Sequence, residues 1–110
     1  MAFKSKTVAN IGQSASKTTI SDTVAASTTH VIMQLSIANT TTSGKTVSVS
    51  ITKSGGSETY LIENASIGAS SAMIVIGADQ RVVIEAGDII QCWCNNASSA
   101  DAVLSYYIGT

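Results

Sequence analysis

The chain has 110 residues, 45% of them hydrophobic, with a formal net charge of −1 at pH 7. That balance sets up no field to gather nucleic acid or an acidic membrane, and so much apolar content excludes a disordered segment. The length fits one domain over residues 1–110, large enough to bury a core without disulfides or metal. Only 12% of residues are charged, proline is absent, and Ser and Thr supply roughly a quarter of the chain. Soluble surfaces normally carry more charge, so the shortage points to surface covered by neighbouring subunits.

The opening "MAFKSKTVANIG" lacks the apolar run of an export signal, so manufacture in a cytosol is expected. Residues 1–12 read either as the first strand or as an arm that adds a strand to a neighbour's edge. "SASK" interrupts the pattern, and "TTISDTVA" reads as a second strand. In "THVIMQLSIAN", Val31, Met33, Leu35 and Ile37 alternate with Ile32, Gln34, Ser36 and Ala38, predicting a strand that buries the first set. "TTTSG" turns the chain into "KTVSVSITK", where Val47, Val49 and Ile51 face inward and Thr46, Ser48, Ser50 and Thr52 outward. "SGGS" is a hairpin turn, because paired glycines accept positive φ.

"ETYLIENASI", the loop "GASS" and the short strand "AMIVIG" follow, the last too short to cross a bilayer. "ADQ" turns into "RVVIEAGDIIQCWC", which Gly87 divides into two strands. "NNASSAD" is the last loop and "AVLSYYI" the last strand. About eight or nine short strands without a helix predict an all-β protein, an antiparallel β-sandwich of jelly-roll-like type.

"QCWC", residues 91–94, holds both cysteines and the only tryptophan. Alternation puts Ile90, Cys92 and Cys94 on one face and Ile89, Gln91 and Trp93 on the other. The thiols read as small buried hydrophobes. Side chains two apart on a strand run parallel, which disfavours a disulfide, and C-x-C with one distant His30 is not a zinc set. If the last two strands form a hairpin, Trp93 stands across from Val103 and Ile89 from Tyr107. Ile89, Trp93, Val103 and Tyr107 would then form an aromatic and apolar interface on one outer face. The competing expectation places Trp93 in the core.

Little else points to chemistry. His30 opens a strand without a nucleophile or carboxylate in any motif, and is expected to be a polar edge residue. Asp79 and Asp88 sit in turns, where carboxylates accept backbone N–H groups. "SGKT" at 43–46 has Asn39 where a phosphate-binding loop needs glycine, and it opens a strand. Lys4, Lys6, Lys17, Lys45, Lys53 and Arg81 form no basic run. The expectation is a non-enzyme without catalytic residues, cofactor or metal.

"SIANTTTSGKTVSVSIT", "TYLIENASIGASS", "RVVIEAGDIIQ" and "DAVLSYYI" together resemble small structural proteins of tailed-bacteriophage virions, over residues 30–108. Cys92, Trp93 and Cys94 depart from that pattern, standing where β-branched or small residues are expected. The resemblance implies a capsid decoration or cement protein that binds the major capsid protein across capsomer junctions. It also implies a homo-oligomer, with a trimer favoured, and location on the virion surface. The alternative it leaves is a neck or tail protein, or a carbohydrate- or receptor-binding β-sandwich module.

Overall fold

A computed structural model describes residues 2–77 and 80–109. Among these are nine strands: β1 (Ala2–Val8), β2 (Thr18–Thr19), β3 (Thr29–Asn39), β4 (Lys45–Thr52), β5 (Glu58–Ile67), β6 (Ala72–Ile76), β7 (Val82–Glu85), β8 (Ile89–Cys94) and β9 (Ala100–Gly109). The described residues contain one 3-10 turn, at Ser14–Ser16. The strands form two antiparallel sheets, so the expected all-β sandwich is the fold of the chain. Sheet A runs β1-β9-β3-β6, with β7 beside β6 on the same flank of β3, and sheet B runs β2-β8-β4-β5. Of the turn expected at "ADQ", Ala78 and Asp79 lie outside the described residues.

The two inner faces meet in one apolar core. Ile32, Leu35, Ile37, Ile84, Leu104 and Tyr106 of sheet A face Val47, Val49, Ile90, Cys92 and Cys94 of sheet B. Ile11, Ile20 and Val24, from the segments flanking β2, join the same cluster. These side chains are mostly β-branched, which suits a pleated surface, and burying each contributes about 1.5–3 kcal/mol. The strand expected in "TTISDTVA" shrinks to two residues, because Ile20 and Val24 leave the ladder to fill the core while the chain crosses to sheet A.

β3 departs from its expected phase. His30 and Ile32 are buried before its midpoint, and Leu35 and Ile37 after it. Its register with β9 shifts between Ile32 and Gln34, a bulge that absorbs Met33 and reverses the alternation. Val31 therefore faces outward, contrary to the sequence expectation, and Met33 is only half-buried. His30 is likewise no polar edge residue. It lies on a central strand, 4% exposed, with its ring stacked on Tyr106 at 4.7 Å between centroids.

Two buried polar residues fix the turns. Asn39 Nδ2 donates to the carbonyls of Ser43, Ile67 and Gly68 at 2.8, 3.2 and 3.1 Å, and its Oδ1 accepts the Thr41 N–H at 2.9 Å. Asp88, in the turn expected at Gly87, accepts the N–H groups of Glu85 and Ser54, both at 2.8 Å. Gly87 has φ +88°, and a β-carbon there would come within 2.6 Å of Ser54, so glycine alone fits.

Candidate functional site: two opposite outer faces

The structure divides the interface expected from sequence. β8 and β9 are not a hairpin: β8 pairs with β2 and β4 in sheet B, and β9 with β1 and β3 in sheet A. The connection 95–99 crosses the end of the sandwich, tied to β4 where the Thr46 N–H meets Asn95 Oδ1 at 3.0 Å. Trp93 consequently stands opposite Ser48, and Ile89 opposite Thr52. Val103 stands opposite Thr7 and Ser36, and Tyr107 opposite Phe3 and Val31. Ile89 and Trp93 thus belong to the outer face of sheet B, and Val103 and Tyr107 to that of sheet A.

Among the described strand residues, the outer face of sheet A is largely apolar. Register places Phe3, Tyr107, Val31 and Val83 in one row across β1, β9, β3 and β7. Phe3 is 72% exposed and Val83 50%, and the Phe3 and Tyr107 rings lie 4.9 Å apart. A second row holds Thr7, Val103, Ser36 and Ile74, with Ser5, Ser105 and Gln34 between the two. Of the described strand residues on this face, Asp101 and Glu85 are charged, and both stand towards its ends. Lys4 and Lys6 point to the other side of β1, since they pair with the inward-facing Tyr106 and Leu104. Phe3, Val31, Ile74 and Val83 were not expected here. Strict alternation through "RVVIE", with Ile84 inward, is the signal that locates Val83.

The outer face of sheet B is built differently. Cys92 and Cys94 enter the core as expected, while Trp93 faces away from it yet is only 7% exposed. Neither expectation for Trp93 fits, because the residues above it form a lid. Lys17 Nζ lies 4.3 Å from the Trp93 ring centroid, and the Tyr60 ring meets it edge-on at 5.6 Å. Lys17 is held by both Glu58 oxygens, at 2.9 and 3.1 Å, and Glu58 also accepts the Ser50 hydroxyl at 2.6 Å. The Ser50 hydroxyl, and then the Lys17 ammonium, hold the Glu58 carboxyl below its usual range. Ser48 and Ser50, expected outward, do face outward but are buried beneath this lid.

A cleft of about 400 Å³ opens beside Trp93, lined by Ser14, Lys17, Ser48, Tyr60, Glu63, Asn64 and Trp93. A register shift between Val47 and Val49 leaves Glu63 and Asn64 opposite Ser48 alone. Asn64 takes φ +50° at this bulge, and its N–H donates to Ser48 Oγ at 2.8 Å. Asparagine tolerates the left-handed region because its short polar side chain bonds locally.

A polar group lies at the β1 margin of the core. The Tyr106 hydroxyl donates to Asp22, whose other carboxylate oxygen lies 3.0 Å from Lys6 Nζ. Burial, and then the hydrogen bond to Asp22, push the Tyr106 hydroxyl up to about 12. Burial, with Cys94 alongside, raises the Cys92 thiol to about 12 as well, which removes it as a nucleophile near neutrality. Among the described residues, no three His, Cys, Asp or Glu side chains gather as metal ligands would. No protein-family model matches the chain, and no curated protein matches it.

Proposed function

We propose that this chain is a non-enzymatic virion structural protein of a tailed bacteriophage. Its role is that of a capsid decoration or cement protein binding the major capsid protein across capsomer junctions. The observation that carries the reading is the outer face of sheet A, where the Phe3–Tyr107–Val31–Val83 row has Phe3 and Val83 exposed at its ends and Tyr107 and Val31 half-buried between them. Contiguous apolar surface of this kind marks contact with another protein, and aromatic residues are enriched at the centre of such contacts. The sequence resemblance supplies the kind of partner.

The strand order supports a jelly-roll winding for this role. Taking β6 and β7 as one interrupted strand gives four strands in each sheet, and an eight-strand double sheet is the form that capsid and lectin domains share. Many copies, each adding a modest binding energy, would together resist the pressure of packaged DNA. A homo-oligomer, a trimer by the resemblance, would bring several such faces to one junction.

The test is co-sedimentation of the purified protein with expanded capsids of its parent phage, beside Phe3→Asp and Val83→Asp variants. Binding by the parent chain, lost in both variants while their circular dichroism is unchanged, is the expected result. A parent chain that leaves capsids bare, or variants that bind as well as it does, would remove the proposal.

A further inference from the structure

The outer face of sheet B carries a second site, on the opposite side of the sandwich from the docking face. We infer that the cleft beside Trp93 binds a neutral pyranose sugar. Its size lies within the range of small-ligand clefts, but its lining is mainly polar, which suits a hydroxyl-rich ligand better than an oily one. Tyr60, 42% exposed, offers an aromatic ring at the rim, against which the C–H face of a sugar ring can lie. Glu63 and Asn64, adjacent on the bulge, supply planar acceptors and donors for neighbouring hydroxyls.

The charges select against ionic ligands. Lys17 already occupies the cation's place over Trp93 and is paired with Glu58. A second cation there would meet the Lys17 ammonium. An anionic sugar would meet the Glu63 carboxylate, with the nearest ammonium already committed to Glu58. A neutral ring avoids both costs.

The site is also pre-formed. Ser48, Ser50 and Trp93 are buried, and the bulge that sets Glu63 and Asn64 over Ser48 has a left-handed residue at its centre. Bulges recur beside binding sites because they re-aim side chains out of the regular pleat. In a plain outer face, one residue opposite Ser48 would have completed the ladder. Two stand there, and both line the cleft.

The experiment is a titration of isotope-labelled protein with methyl glucoside, methyl galactoside and N-acetylglucosamine, with glucuronate as the charged comparator, followed by amide and indole NMR signals. Saturable shifts of the Trp93 indole and Asn64 amide signals with at least one neutral sugar are expected, with a markedly weaker response to glucuronate. Tyr60→Ala and Glu63→Ala change exposed residues, and circular dichroism checks that each variant is folded; each should weaken binding about tenfold. Stronger binding to a polysaccharide of the same sugar would assign the ligand to a surface glycan, and equal binding to the free sugar; both support the site. No saturable shift with any neutral sugar, shifts that map elsewhere, or full binding by both variants would overturn it. Capsid co-sedimentation does not involve this cleft, so either proposal can fail without the other.

Discussion

Asp88 holds Ser54 by its backbone N–H at 2.8 Å, so the turn entering β8 is fastened to the hairpin between β4 and β5. The other Asp88 oxygen accepts the Glu85 N–H and lies 2.5 Å from Lys53 Nζ. Burial alone would raise this carboxyl. The Lys53 ammonium and the two backbone donors outweigh it and hold the group below its ordinary value of 3.8.

A carboxylate whose folded pKa is depressed stabilises the fold fully above its unfolded pKa, and that contribution is lost as pH falls through the lower folded value. Acid denaturation should therefore show a component below pH 3.8 that disappears in Asp88→Asn. At neutral pH, Asp88→Ala leaves two backbone donors without their acceptor and should cost about 2–3 kcal/mol in urea unfolding. An unchanged midpoint would mean that water replaces the carboxylate at no cost.

The alkaline side has its own signature. Cys92 and Tyr106 both rise to about 12, from 9.0 and 10.0. For an acid raised on folding, the sign is the reverse of the Asp88 case. Stability is complete below the unfolded pKa and is lost as pH climbs above it. The Cys92 contribution should decline above pH 9.0, by about 1.4 kcal/mol per pH unit. Cys92→Ala should flatten that limb of a stability profile. In the native protein, both thiols should resist a disulfide reagent at neutral pH and react once the chain is unfolded in urea.

Trp93→Ala separates the two ideas of this residue that its sequence allowed. Its burial beneath Lys17 and Tyr60 predicts a loss of about 3 kcal/mol, read by chemical denaturation. Capsid binding of the fraction that stays folded should be unaffected if the proposed docking surface is the outer face of sheet A, which holds Val103 and Tyr107 but not Trp93.

Oligomer formation, if it uses the outer face of sheet A, should respond to the same surface. Light scattering of Val103→Lys and Ile74→Lys, both at exposed positions, should give a lower mass than the parent chain at equal concentration. Equal masses would place any self-association elsewhere.

Alternation made most of the strands legible, along with the inward thiols and the turns at Gly87 and "SGGS". Its failures have specific causes. Alternation carries a phase that one extra residue reverses, and Met33 is such a residue in β3. Nothing in "THVIMQLSIAN" marks the bulge, so alternation alone points Val31 into the core. The loop "NNASSAD" has the length of a hairpin loop, and local sequence does not distinguish a return to the same sheet from a crossing to the other one. That single ambiguity placed Trp93 across from Val103. The cleft was illegible for a related reason: "IENAS" reads as an ordinary strand, and only pairing with β4 reveals that two of its residues face one partner.

The place of β9 in sheet A bears on how the chain reaches this structure. β9 lies between β1 and β3, so β1 has no partner within sheet A until the C-terminal strand arrives. During synthesis β1 must wait for β9, eight strands later in chain order, to emerge. Until then β3 is paired on one flank only, with open backbone groups on the other. Such delayed, non-local closure slows folding and leaves sticky edges available to other nascent chains. Lys4 and Lys6, on the strand that waits, put charge on the side of β1 that will later face Tyr106 and Leu104. In the unfinished chain, that charge discourages premature pairing between copies.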